Sequence, residues 1–186
     1  MYKELSEQEL VRFCCQRDKL AQDELYIRYA ARVYTLCRRY LGDDEEAKDL
    51  MQETLIQVID RISSFEYKST GSLYAWISRI AVNRALNLIK RQRWRWVTLS
   101  GNIRDTIADP DESEIEKIPE EKLLEWITEL TNVRRAVFNM FCIDGYSHKE
   151  IAAMLGISEK GSASILAKAK KQLKERIKQY WRAQGK

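Results

Sequence analysis

Glycine and proline are scarce in this 186-residue chain, with 7 and 2 copies. Tight turns draw heavily on those two residue types, so their scarcity argues against a fold of many short strands and for a mostly helical one. Long apolar runs are missing as well. None approaches the roughly 18 residues that mark a transmembrane helix, and the opening MYKELSEQEL lacks the apolar core of a signal peptide. The expectation is a cytoplasmic protein with no direct membrane insertion. A single histidine, His148, and four cysteines without a CxxC pair leave no set of converging N/S ligands for a metal. Cys14, Cys15, Cys37 and Cys142 are read as buried, reduced thiols. With no phosphate-binding loop and no nucleophile–base pair in view, neither catalysis, a cofactor nor a small-molecule substrate is expected.

Charge is abundant, and it is unevenly placed. Charged residues make up 32% of the chain and hydrophobic ones 45%, with a net charge of only +4. Between Arg79 and Arg95 lie Arg79, Arg84, Lys90, Arg91, Arg93 and Arg95 without one acid, and from Lys160 to Lys186 Glu175 is the sole acid among nine bases. Between these blocks, Asp105, Asp109, Asp111, Glu112, Glu114, Glu116, Glu120 and Glu121 face only Lys117. Two basic blocks flanking an acidic stretch imply two polyanion-binding modules on a tether.

Periodicity places the helices. Ser6 and Glu9 form a capping box, with Leu5 and Leu10 as its hydrophobic staple, so a first helix starts near Glu7 and ends before Asp18. A second runs from about Lys19 to Leu41 and stops at Gly42. In the third, Ala47, Leu50, Met51, Thr54, Leu55, Val58, Ile59 and Ile62 recur at steps of three and four, which makes one buried stripe. Lys48, Asp49, Gln52, Glu53, Gln57 and Asp60 fall on the opposite face. A fourth helix begins near Leu73, with Leu73, Trp76, Ile77, Ile80, Ala81 and Leu88 inward and Arg79, Asn83, Asn87 and Lys90 outward. Residues 98–121 lose the period, carry both prolines and read as a flexible acidic linker. A second helical unit follows, with Leu123, Leu124, Ile127, Leu130, Val133, Val137, Met140 and Phe141 in its stripe.

Three stretches carry chemistry. In the last, SHKEIAAMLGISEKGSASILAKAKKQL, Ser147 and Glu150 cap one helix, Gly156 ends it, Ser158 caps the next, and Ile151, Ala152, Leu155, Leu166, Ala169, Leu173 and Ile177 face inward. That is a helix-turn-helix with Lys160, Ser164, Lys168, Lys171 and Lys174 left for phosphate or solvent. In the second, GSLYAWISRIAVNRALNLIKRQRWRW joins an Asn/Arg stripe to a basic and aromatic run. Bases neutralise phosphates and exposed aromatics stack on unpaired nucleobases, a role open also to Phe65 and Tyr67 in the preceding loop. In the first, GDDEEAKDLMQETLIQVI, acids in the opening turn stabilise the helix dipole. The continuing stripe of Asp49, Gln52 and Glu53 exceeds that need and suits a basic protein surface.

Taken together, these three stretches resemble the extracytoplasmic-function sigma factors, two-domain bacterial transcription initiation factors. The resemblance covers roughly residues 20–97 and 120–180 and implies an all-α fold of two small helical domains. Residues 1–97 would bind core polymerase and melt the minus-ten element, 98–121 would form the acidic linker, and 122–186 would recognise the minus-thirty-five duplex. It also implies core RNA polymerase, promoter DNA and an anti-sigma factor as partners. By position, Asp49, Gln52 and Glu53 would contact polymerase. Phe65, Tyr67, Lys68, Asn83, Asn87, Lys90, Arg91 and Arg93 would serve the melted minus-ten strand. Lys149, Ser158, Lys160, Ser162, Ser164, Lys168 and Lys171 would meet the duplex.

The chain departs from the family pattern after Ser158. Lys160 stands for a Gly, Gly161 for a Thr, and Ala163 and Ile165 for two polar or basic residues. Neither Ala163 nor Ile165 can make a bidentate contact to guanine, an interaction giving about 1–3 kcal/mol of discrimination. Two rival readings are a stand-alone helix-turn-helix regulator, which leaves the basic-aromatic helix unexplained, and an enzyme acting on nucleic acid, for which no catalytic set is present.

Overall fold

A computed structural model describes residues 2–93 and 117–184, and all described regular structure is helical. The chain falls into two compact units, Met1–Ala85 and Leu86–Lys186.

The first unit opens with a 3-10 turn, Tyr2–Glu4, and helix α1, Glu7–Cys15. The expected capping box closes reciprocally: Glu9 N–H donates to Ser6 Oγ at 3.2 Å, and Ser6 N–H donates to Glu9 Oε2 at 2.9 Å. Helix α2, Lys19–Leu41, starts under the Asp18 side chain and ends at Gly42 in the left-handed region, φ 76°. Helix α3, Asp44–Arg61, starts where the Asp43 carboxylate accepts from Glu45 and Glu46 N–H at 3.0 and 2.9 Å. Its stripe Ala47, Leu50, Met51, Thr54, Leu55 and Val58 is buried, as its period requires, whereas Ile59 is only half-buried; the helix packs on α2, whose Leu25, Val33, Leu36 and Tyr40 are also buried. A 3-10 turn, Ile62–Ser64, then leads through the loop 65–71 into helix α4, Ser72–Arg93, whose residues from Leu86 onward are assigned to the second unit.

Helix α4 buries a different edge from the one its apolar pattern predicts. Leu73, Ile77 and Ala81 are buried as expected, and Val82, Ala85, Leu86 and Ile89 join them, whereas Trp76, Ile80 and Leu88 are only half-buried. Steps of four carry the buried row away from Trp76 and toward small residues, which let neighbouring side chains approach closely.

The second unit contains α5, Glu120–Thr128; α6, Asn132–Phe138; a π-helical turn, Asn139–Ile143; α7, His148–Leu155; and α8, Glu159–Ala183. The wide turn closes with Asp144 N–H on Asn139 O at 2.9 Å and Tyr146 N–H on Met140 O at 2.8 Å. Because it adds a residue to the helical turn, Phe141 leaves the expected apolar stripe. It is 36% exposed and stacks on the His148 ring, with centroids 4.4 Å apart. Leu130, Val137, Met140, Ile151, Leu155, Leu166 and Ala169 form the main buried set. A second cluster brings Ile118 and Trp126 onto Ile177, with Leu123, Leu173, Tyr180 and Trp181 packed around it.

The expectation of four buried thiols needs correction. Cys14 and Cys37 are buried, but Cys15 and Cys142 are exposed. Cys15 lies on the outer side of α1 beside Cys14, since adjacent residues on a helix point in different directions. Cys142 sits in the π turn that also turns Phe141 outward.

Candidate nucleic-acid interface

Three surfaces hold the candidate residues. On α3, Asp49, Gln52 and Glu53 are all exposed and form one polar face opposite the buried stripe. Ile56 belongs to that face and is 61% exposed. The sequence carried a signal for it, because Ile56 stands one helical step from Gln52 and Glu53. Glu53 is also engaged within the unit. It forms an ion pair with the Arg84 guanidinium, which donates to Gln57 Oε1 at 2.9 Å as well. Arg84 Nε is buried without a hydrogen-bond partner.

On α4, Asn83, Asn87 and Arg91 follow each other at steps of four and are exposed, with Lys90 half-buried. Arg93 ends the helix, its side chain lying outside the described residues, as do Trp94 and Trp96. In the preceding loop, Lys68 is exposed and Phe65 and Tyr67 are half-buried. The Phe65 ring lies 5.2 Å from the Trp76 ring, tilted by 42°.

That loop is held from an unexpected direction. Helix α4 gets its N-terminal acceptor from α1, where the Glu7 carboxylate takes Gly71 N–H on Oε2 and Leu73 N–H on Oε1, each at 3.0 Å. Ser72 Oγ lies 3.5 Å from Glu7 Oε1 and accepts in turn from Lys68 and Ser69 N–H at 3.3 and 3.4 Å. Tyr29 donates its hydroxyl to Glu7 Oε2 at 3.3 Å. Burial first, and then the Glu7 charge, push the Tyr29 phenol up to about 12. The Tyr29 ring stacks on Tyr74, and the Arg32 guanidinium lies 3.6 Å from the Tyr74 centroid. Gly71 sits at φ +90° with open space where a Cβ would be, so backbone conformation alone reserves the position for glycine. Sequence reasoning missed Glu7. It looked like a first-turn acid of α1, and nothing local marks a partner 64 residues away.

The third surface is the helix-turn-helix of α7 and α8. Ser147 and Glu150 form the expected capping box, Gly156 closes α7 at φ +65°, and Ser158 Oγ accepts from Gly161 N–H at 3.0 Å. Lys149, Ser158, Lys160, Ala163 and Ser164 are exposed, while Ile165, Lys168 and Lys171 are half-buried. Ser162 is a correction. Its side chain is fully buried and its Oγ lies 3.0 Å from His148 Nδ1, so it joins α7 to α8 instead of facing a groove.

Residues 25–95 match the family described as Sigma-70 region 2, and residues 120–173 match Sigma-70 region 4. An all-helical first module followed by a helix-turn-helix module, with these matches, defines a transcription initiation factor of the sigma-70 class. Among curated relatives, the ECF RNA polymerase sigma factor SigE of Mycolicibacterium smegmatis is 30% identical over 157 residues, 82% of this chain. The match spans 60% of that relative's length. The ECF RNA polymerase sigma-E factor of Salmonella typhimurium is 27% identical over 83% of this chain and 85% of its own length. Among solved structures, the sigma factor RpoE of Bartonella quintana, determined with the anti-sigma factor NepR, aligns over 84% of this chain and 96% of its own, with 19% identity and a TM-score of 0.49. The chain belongs to the extracytoplasmic-function sigma factor family.

Proposed function

We propose that this chain binds core RNA polymerase and directs it to promoters, reading a minus-thirty-five duplex with residues 122–186 and opening and holding a minus-ten element with residues 1–97. The carrying observation is the joint match of one chain to region 2 and region 4 of the sigma-70 family. In this reading Asp49, Gln52, Glu53 and Ile56 dock on polymerase, an exposed apolar residue within an acidic face being the composition of an interface centre with a polar rim. Phe65, Tyr67 and Lys68 receive an unstacked base, and Asn83, Asn87, Lys90, Arg91 and Arg93 follow the separated strand, stacking and phosphate contacts supplying the energy. Lys149, Ser158, Lys160, Ser164, Lys168 and Lys171 serve the duplex. The chain works in the cytoplasm, residues 98–121 form the tether between the modules, and an anti-sigma factor covers the polymerase-binding surfaces. Melting needs no catalytic residue, because base capture and electrostatic clamping of the unpaired strand favour the open form.

Run-off transcription with purified core polymerase and a promoter library tests this reading. Initiation from a defined subset of templates is expected. Binding to core without initiation above core alone would overturn it.

A further inference from the structure

The loop proposed to capture a base and the helix proposed to track the melted strand share one junction, residues 68–73, and this junction hangs on Glu7. The first N–H groups of a helix have no partner inside it. In α4, the hydroxyl of Ser72 turns back to accept from Lys68 and Ser69 N–H. That leaves Gly71 and Leu73 N–H to Glu7, whose two oxygens also take up Tyr29 and Ser72. Every contact requires an acceptor, and the negative charge faces the positive end of the α4 dipole. Glu7 lies outside the matched region 2, residues 25–95. Its helix is itself anchored, with Leu10, Val11 and Cys14 in the core. A rigid α1 thereby sets where the loop 65–71 ends and α4 begins.

We propose that Glu7 is a positioning residue for promoter opening, pre-setting the base-capture loop through its bonds to Gly71, Ser72 and Leu73. The proposal rests on the sigma-factor reading. A carboxylate is needed because an amide at this position would turn an N–H2 group toward a backbone donor, with four donors sharing two oxygens. The bonds are charge-assisted, the stronger class of hydrogen bond.

The test uses full-length chain assembled with core polymerase and a promoter selected from a random library by the wild-type holoenzyme, supplied as duplex and as a minus-ten single-stranded oligonucleotide. E7Q is expected to weaken oligonucleotide binding by the assembled holoenzyme about tenfold, the scale of one charge-assisted hydrogen bond lost. Open-complex formation on duplex slows with it, while affinity for core stays within about twofold of wild type on the same scale. S72A, which leaves Glu7 and both of its backbone contacts in place, removes the bridge to Lys68 and Ser69 and should weaken oligonucleotide binding in the same direction with core affinity kept. A purely architectural role would instead lower thermal stability and core affinity together, and leave the oligonucleotide affinity of holoenzyme that does assemble unchanged. That outcome, in E7Q or in S72A, overturns the proposal. Failure of the wild-type chain to initiate from any template would instead sink the sigma-factor reading, so the two failures are distinguishable.

Discussion

At the scale of residues, three buried protons weaken the fold at alkaline pH. Burial pushes the Cys37 thiol up to about 12 and the Cys14 thiol up to about 11, the latter helped by Cys15 and Asp18. Tyr29 rises to about 12 for the reasons of burial and the Glu7 charge. In each case the unfolded chain releases its proton first, so the folded state binds more protons and stability must fall as pH rises. The contribution is complete below the unfolded values of 9.0 for the thiols and 10.0 for the phenol, and is lost as pH rises through the folded ones. Urea midpoints measured between pH 8 and 11 should therefore decline above pH 9. Alkylation at pH 8 followed by mass spectrometry should modify Cys15 and Cys142 before Cys14 and Cys37, since the first two are exposed and reaction requires access. Equal rates at all four would contradict the burial. Ser162 carries a different residue-scale lesson. A serine between Gly161 and Ala163 reads as exposed by polarity alone, yet burying it is tolerable once His148 satisfies its hydroxyl. Pairwise satisfaction across 14 positions leaves no trace in local hydropathy.

At the scale of elements, α3 and α4 are linked by the pair of Glu53 and Arg84. With side chains 58% and 32% exposed, such a pair contributes about 0–1 kcal/mol after solvent screening. Its interest lies in the coupling of two proposed working faces. E53A should therefore cost no more than about 1 kcal/mol in urea unfolding. If Glu53 also meets a basic polymerase surface, the same change should weaken core binding about tenfold, about 1.4 kcal/mol. R84M removes the internal partner but leaves the outward face of α3 intact, so core affinity should remain near wild type. Should R84M weaken core binding as much as E53A, Glu53 acts through the helix pair and does not contact the polymerase. The two helices also show what periodicity can and cannot say. Every buried residue of α3 was legible, because its stripe alternates cleanly with charge and its start is marked by Asp43. Helix α4 is apolar on more than one side, so its pattern admits several inward faces. Packing chose the one lined by Ala81, Val82 and Ala85, and left Trp76 half-buried against Phe65. Its N-terminal cap was illegible for the simpler reason that it comes from another helix.

At the scale of the whole molecule, both modules, their order and the helix-turn-helix were readable from caps, glycine stops and charge blocks. The acidic stretch from Asp105 to Glu116 lies outside the described residues. A net charge of +4 conceals two basic blocks, and this separation predicts two distinct DNA modes. Duplex contacts by α8 should be salt-sensitive, each neutralised phosphate adding about 0.9 to the slope of log K against log salt. A163K places a cation on an exposed position of α8 and should tighten promoter duplex binding by holoenzyme, with a steeper salt slope. An unchanged affinity and slope would show that this face does not meet DNA. In the proposed reading, melting depends on the other block. Asn83 is exposed on α4, one helical step from Asn87, and carries no charge, so its contribution should be to the separated strand and not to bulk phosphate attraction. N83A should consequently slow opening of a duplex promoter about tenfold, the equivalent of one lost hydrogen bond of about 1.4 kcal/mol, with its salt dependence unchanged. On a template already melted across the minus-ten element the loss should be smaller, because the unpairing step is gone. Permanganate footprinting on the duplex and run-off transcription from both templates measure this difference. Equal losses on duplex and bubble would place Asn83 in general strand binding, and no loss on either would remove it from the interface.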